Sequence, residues 1–455
     1  MIIWICNPYD PLPGEGLGEL RYGRLAQTLV AQGHSVTWWS ADWSHTLKKP
    51  RLLQSEGLRA KDEGRMRLKL VPVSPYRKNI SLRRVWSHLR YARGIARQAE
   101  AHVAAHGKPD VILFSVPPME AGSVALKLGR KYGAKVLLDV MDAWPEALLR
   151  LPMAAIANGK WRMAQGAERR GQGSGKILSS WLRHLRTSAS SVESQTSVII
   201  HLSSLILSPY SRMMRRYCCE ADGVCAQSQA FVDYARSFGA QGEIPVFYLG
   251  AQRLAQLRDS PSAIPDGKTL HVVYLGSMGR VYDLSTLVDA VLQLLAAGHA
   301  LRLDLVGTGE QRGGLEAKVA AAGQEDAITF HGYLQGAALE SVLVQSDLGV
   351  VPMYPESAVA VPYKACDYLA AGMPVINSLP GELMEMLEAT GSGQFYTAGD
   401  TASLTGALTV WLEDRDALAA AQVAARRLFA EQLDADKIDP AYAEWVAAFG
   451  HNGER

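Results

Sequence analysis

Residues 353–382, MYPESAVAVPYKACDYLAAGMPVINSLPGE, combine a helix start, a cation, a carboxylate and a helix stop within one short stretch. Pro362 suits the first helical position, where its missing N–H is no loss, and Gly372 followed by Pro374 is a helix stop. The spacing predicts a short helix over 362–371. Within it Lys364, Asp367, Tyr368 and Ala371 recur at i, i+3, i+4 and i+7, so a cation and a carboxylate lie one turn apart on a shared face. The first turn offers unpaired N–H groups and a positive dipole end, with Lys364 beside them, which is a sound seat for a phosphate. A carboxylate one turn deeper suits hydroxyl groups. An ordinary amphipathic surface helix with a Lys–Asp pair has the same spacing, so the surrounding chain must decide.

Upstream, a βα series begins at His271. Val272–Leu275 reads as a buried strand, followed by the tight loop Gly276-Ser277-Met278-Gly279-Arg280 and a helix over 284–296. Leu301–Val306 is the next strand and ends in Gly307-Thr308-Gly309-Glu310. Ile328–Phe330 leads into His331-Gly332-Tyr333, and Leu348–Pro352 leads into the opening stretch. Four strands thus end, on one edge, in glycines or ionisable groups, where open α/β sheets meet their ligands. Arg280 has the reach and permanent charge for a phosphate. Gly276, Gly307, Gly309 and Tyr333 are further candidates for that edge.

The first half has the same rhythm. Ile2–Cys6 reads as a strand, then comes the loop NPYDPLPGEGLGELRYG, a helix over 19–32 and a strand over 34–39. Gly14, Gly16 and Gly18 allow close approach of a ligand to the backbone. Their spacing is not the dinucleotide fingerprint G-x-G-x-x-G, which disfavours a nicotinamide enzyme. Pro109–Phe114 and Lys135–Val140 are further strands, and Asp142 and Glu146 stand past the second of them. Asp142 equally suits a helix cap. Strands over 220–225 and 245–250, with a helix over 227–236 between them, complete the unit. Residues 251–268 are polar and patternless, as a linker is.

Two segments are strongly basic. Residues 77–97 carry Arg77, Lys78, Arg83, Arg84, Arg90, Arg93 and Arg97 around Val85, Trp86, Leu89 and Tyr91, which reads as a solvated helix face or as one turned toward phosphate or membrane. Residues 151–207 break the α/β rhythm. From Lys160 to Arg186 seven cations face the single Glu168, with Ile177, Leu178, Trp181, Leu182 and Leu185 on one side of a predicted helix. That pattern suits an anionic membrane surface.

The 455 residues fit two large domains, and 48% hydrophobic with 20% charged residues is ordinary globular composition. A net charge of +2 excludes little. Five cysteines without a C-x-x-C pair point to neither a disulfide framework nor a zinc site. Met1 runs directly into a short apolar strand, and no stretch is long enough to span a bilayer, so the expectation is a cytoplasmic protein.

With these residues in place the chain resembles the family-four GT-B glycosyltransferases, retaining enzymes that build bacterial O-antigen, capsule or exopolysaccharide. The strongest motif is Val361-Pro362-x-Lys364-x-x-Asp367-Tyr368-Leu369-Ala370-Ala371-Gly372-x-Pro374-Val375-Ile376, supported by Asp142-x-Trp144-Pro145-Glu146 and Gly307-x-Gly309-Glu310. The resemblance implies two Rossmann-like doubly wound parallel-sheet domains facing across a cleft, at 1–250 and 269–435, with residues 436–455 crossing back to the first. It implies that Lys364 and Arg280 meet the donor diphosphate and that Asp367 takes the ribose hydroxyls. Gly276, Gly307, Gly309 and Tyr333 then line the donor side, and Gly14, Gly16, Gly18, Glu19, Asp142 and Glu146 the acceptor side. The donor is then a UDP- or GDP-sugar with no metal or other cofactor, and the acceptor a saccharide, free or on polyprenyl diphosphate; no nucleic acid is implied. The chain departs from the family in having Val359 in place of the first glutamate of E-x7-E, and Ser277 and Tyr282 where Arg and Lys are usual. An inverting GT-B transferase, a sugar-nucleotide epimerase and a non-catalytic membrane scaffold are the alternative readings.

Overall fold

The computed structural model describes residues 1–51, 64–78, 81–144, 208–254, 269–357 and 359–450. The first sheet is built from β1 (Ile2–Cys6), β2 (Ser35–Ala41), β3 (Met66–Val71), β4 (Val111–Val116), β5 (Lys135–Val140) and β6 (Gly223–Ala226), in the order β3-β2-β1-β4-β5-β6. All pairings are parallel, with Ile3 opposite both Val36 and Val111. The second comprises β7 (Leu270–Leu275), β8 (Leu301–Val306), β9 (Ile328–Gly332), β10 (Leu348–Val351), β11 (Val375–Asn377) and β12 (Gly393–Phe395), in the parallel order β12-β11-β10-β7-β8-β9. In each sheet the strand order reverses beside the first strand, between β1 and β4 and between β7 and β10. Those are the points at which such sheets open a crevice.

Alternation along the strands explains the layers. Ile3, Ile5, Val36, Trp38, Val111 and Leu113 face one side of the first sheet and bury Tyr22, Leu25 and Leu29 of the helix Arg21–Ala31. Tyr442 and Val446 of the helix Ala435–Ala448 enter that same layer, so this helix packs on the first sheet. Trp4, Trp39, Ile112 and Phe114 face the other side, against Tyr91, Ile95 and Ala99 of the helix Leu82–His106. Among the described residues no helix is long and apolar enough to cross a membrane.

Several expectations need correction. The opening helix runs Tyr363–Ala370, with Pro362 as an extended N-cap (ψ 150°) and not as its first residue. Residues 245–250 are not a strand: Val246 makes one bridge to Ala226, while the carbonyls of Phe247 and Tyr248 go to Arg21 and that of Leu249 to Arg24. Backbone acceptors committed to guanidinium groups are lost to a ladder. Ala251 is buried and pairs through its N–H and C=O with Leu433 and Ala435, so it is not free linker. The helical residues 208–220 end at Glu220, where a strand was expected. β3, β11 and β12 were not foreseen. The basic segment 160–186 and residues 255–268 lie outside the described residues.

Candidate functional site

The helix Tyr363–Ala370 is fixed against the end of β7 by Tyr368. Its ring lies flat on Gly349 of β10, where any Cβ would meet ring carbons at 2.3 Å, and its hydroxyl accepts from Leu275 N–H (2.6 Å). One turn earlier, this seating places Lys364 beside the loop that follows β7. Lys364 is buried; its ammonium donates to the Tyr274 hydroxyl (3.2 Å) and lies 4.2 Å and 4.0 Å from the ring centres of Tyr274 and Tyr282. A Cβ on Gly276 would come within 3.0 Å of that nitrogen, so glycine there (φ 135°) lets the lysine reach the strand end. Burial holds the Lys364 pKa well below the usual lysine value, with the Asp367 charge opposing it.

Asp367 is partly buried, and desolvation pushes its carboxyl up to about 7, against the pull of Arg24 first and Lys364 second. The cation acting most strongly on it therefore comes from the other sheet's domain. Arg24 pairs with Asp439 (2.7 Å) and donates to Leu249 O (2.5 Å). One turn before it, Arg21 is buried against Asp139 at the end of β5 (2.9 and 3.2 Å), with the Tyr22 and Tyr442 hydroxyls on the same carboxylate (2.7 Å each). Arg21 N–H also reaches the Tyr363 hydroxyl (3.3 Å). Sequence reasoning missed both arginines; the only signal was two cations one turn apart beside the apolar Leu25, Ala26 and Leu29.

Gly307 and Gly309 have a packing reason. A Cβ on Gly307 would stand 1.9 Å from Gly276 O, and one on Gly309 2.6 Å from the Met278 backbone, so the two strand-end loops lie backbone on backbone. Arg280 and Lys364 meet different partners here: the Arg280 side chain is 86% exposed and pairs with Glu310 (3.0 Å), whereas Lys364 is buried. A flexible, solvated guanidinium with a carboxylate one loop away takes the nearer partner.

On the other side of the crevice, Gly14 (φ 87°) and Gly16 (φ 69°) take left-handed conformations. A Cβ on Gly16 would lie 3.9 Å from the Gln335 amide, and Gln335 in turn accepts weakly from the exposed Tyr333 hydroxyl (3.4 Å). The glycine loop and the end of β9 therefore meet across the gap. Gly14 and Gly18 face open space. Glu19 is exposed and accepts from Gln27 (2.6 Å), while Glu15 takes Arg51 (3.2 Å). Asp142 follows β5 next to Arg84 and Tyr9, whose ionisation it biases; Arg84 lies over the Tyr9 and Trp144 rings at 5.3 and 5.2 Å. Glu146 lies outside the described residues. Among the described residues no group of three or more metal-ligating side chains is assembled.

Sucrose-phosphate synthase from Thermosynechococcus elongatus aligns over 98% of this chain and 99% of its own, with a TM-score of 0.63 at 16% identity. HepE of Anabaena, solved with UDP-glucose, aligns over 98% of this chain and 100% of its own, with a TM-score of 0.60 at 16% identity. The fold is GT-B. Within this GT-B chain, residues 269–414 match the family described as Glycosyl transferases group 1. WcaL of Salmonella typhimurium, named as a colanic acid biosynthesis glycosyltransferase, is 23% identical over 177 residues, which are 38% of this chain and 44% of that one. That match spans less than half the relative's length.

Proposed function

We propose that this protein is a retaining glycosyltransferase of surface-polysaccharide synthesis, moving a hexosyl group from a UDP- or GDP-sugar to a saccharide on a polyprenyl diphosphate at the cytoplasmic face of the plasma membrane. The observation that carries the reading is Lys364: a buried ammonium between two tyrosine faces, at a glycine-lined strand end beside a helix N-terminus. Such a group asks for an anion. The match of 269–414 to group 1 glycosyl transferases and the solved complexes of HepE with UDP and UDP-glucose support a nucleotide diphosphate in that role.

The hard step is departure of the diphosphate while positive charge builds on the sugar. In the proposed reaction the bond from the anomeric carbon to the diphosphate oxygen breaks, the acceptor oxygen bonds on the same face, and the acceptor proton passes to the leaving phosphate. Lys364 and the N–H groups of the first helical turn stabilise the leaving charge, and Asp367 holds the ribose hydroxyls. Arg280 assists once it exchanges Glu310 for phosphate. Gly16, Glu19 and Asp142 border the acceptor side. Thermal shift with UDP, GDP and their sugars, wild type against Lys364→Ala, tests this, and the anomeric configuration of the product tests retention. A nucleotide shift equal in both proteins would remove the diphosphate from Lys364 and the reading with it.

A further inference from the structure

The helix Leu82–His106 presents a face that this chemistry leaves unused. From Arg77 to Gln98 the chain holds seven cations and no carboxylate. At about 100° per residue, Leu82, Arg83, Trp86, Arg90, Arg93 and Arg97 fall within an arc of about 100°. The opposite side carries Tyr91, Ile95, Ala99 and His102, all buried on the first sheet. On the outer stripe Leu82 is 88% and Trp86 51% exposed, and all four arginines are exposed. Arg93 lies over the Trp86 ring at 5.7 Å.

Scattered exposed apolar residues are ordinary, but a leucine and a tryptophan one turn apart among unrelieved positive charge are a specific combination. We infer that this stripe is the membrane-docking face of the protein, seating on an anionic phospholipid surface with Leu82 and Trp86 among the headgroups. A partner offering phosphates alone would satisfy the arginines and leave Leu82 unexplained, whereas a bilayer interface satisfies both. The inference rests on the proposed lipid-linked acceptor and places it. The N-terminal end of this helix is the end that reaches the crevice, where Arg84 lies against Tyr9 and Trp144 beside Asp142. Docking through the stripe sets the acceptor side of the cleft at the bilayer.

The test is co-sedimentation of the full chain with phosphatidylcholine vesicles, with and without phosphatidylglycerol. Wild type is expected to pellet only with the anionic vesicles. Each neutralised arginine should weaken binding about fivefold, so Arg83→Gln/Arg90→Gln/Arg93→Gln/Arg97→Gln should abolish it. Leu82→Asp/Trp86→Asp should weaken it by about tenfold or more, with an unchanged Tm because both residues are exposed. The control Arg302→Gln/Arg427→Gln, exposed cations elsewhere, should bind as wild type. Stripe variants that still pellet would assign binding to another segment, such as 160–186, and overturn the inference. So would wild type that binds RNA but no vesicle. Nucleotide thermal shifts of the same variants separate the two readings: a retained shift with lost vesicle binding supports docking, and a lost wild-type shift with retained vesicle binding removes only the transferase.

Discussion

The ammonium of Lys364 lies 4.0 Å from the centre of the Tyr282 ring, at the position where the family resemblance expects a second lysine. Two cations there would repel in a poorly solvated site. A tyrosine face instead attracts the single ammonium, by about 2 kcal/mol when desolvated, and offsets part of the cost of burying it. The departure from the family pattern thus has a local physical logic: one cation held by two rings.

Replacing Lys364 by Ala should lower kcat/KM for nucleotide-sugar turnover by about 10² to 10³, the scale of one preorganised donor to a developing anion. Tyr282→Leu should cost about tenfold and Tyr282→Phe little, because the ring face and not the hydroxyl is what Lys364 uses. Equal losses for both tyrosine variants would contradict this role for the ring.

Lys364 titrates below the lysine value of 10.5 in the folded protein because burial disfavours its charge. Between the two pKa values the unfolded chain binds more protons, so this group makes stability rise with pH across that window. A nucleotide diphosphate beside it reverses the preference. Binding should raise the Lys364 pKa, so affinity should weaken as pH rises through the lysine's free-protein value, measurable by calorimetry across a pH series; affinity that strengthens with pH is the opposite outcome.

Asp367 titrates at about 7 when folded against 3.8 unfolded, so it favours the folded state at low pH and loses that contribution as pH rises from about 4 to 7. Asp367→Asn should therefore stabilise the unliganded protein at pH 7 by roughly 2 to 4 kcal/mol. Urea titrations at pH 5 and pH 7 read this directly. The same variant should lose nucleotide affinity.

Arg21 and Asp139 form a buried pair whose carboxylate also takes Tyr22 and Tyr442. Arg21→Met leaves that charge unbalanced and should cost about 3 to 5 kcal/mol. Tyr442→Phe removes one hydrogen bond and should cost about 1 kcal/mol. Chemical denaturation followed by far-UV circular dichroism checks both.

Glu382, the first residue of the helix Glu382–Thr390, caps another helix across the crevice. Its carboxylate accepts from the N–H groups of Gln229 and Ala230 (2.8 and 2.9 Å) and from the Tyr248 hydroxyl (2.7 Å). Glu382→Ala should cost about 1 kcal/mol and raise hydrogen exchange at those two amides. Unchanged exchange there would show that the cap does not couple the two domains.

Much of this molecule follows from local pattern. Largely apolar runs of four to six residues predict β1, β4, β5, β7, β8 and β10, because a strand covered on both faces is mostly apolar, and β7 and β8 run directly into Gly276 and Gly307. Gly349, Gly307 and Gly309 were legible as glycines but not in their roles, since what a Cβ would strike belongs to another strand or loop. β11 and β12, three residues each, are too short to show a period.

The two βα series, the helix after Pro362 and the presence of Lys364 and Asp367 on it depend on neighbours along the chain and could be read from residue order. What those groups meet depends on how the chain folds back on itself. Arg24 and Asp439 are 415 residues apart, Arg280 turns to Glu310, and Lys364 is enclosed by tyrosines from a different strand and loop. Charge and burial act through space, and no spacing along the chain encodes which distant surface will supply the partner.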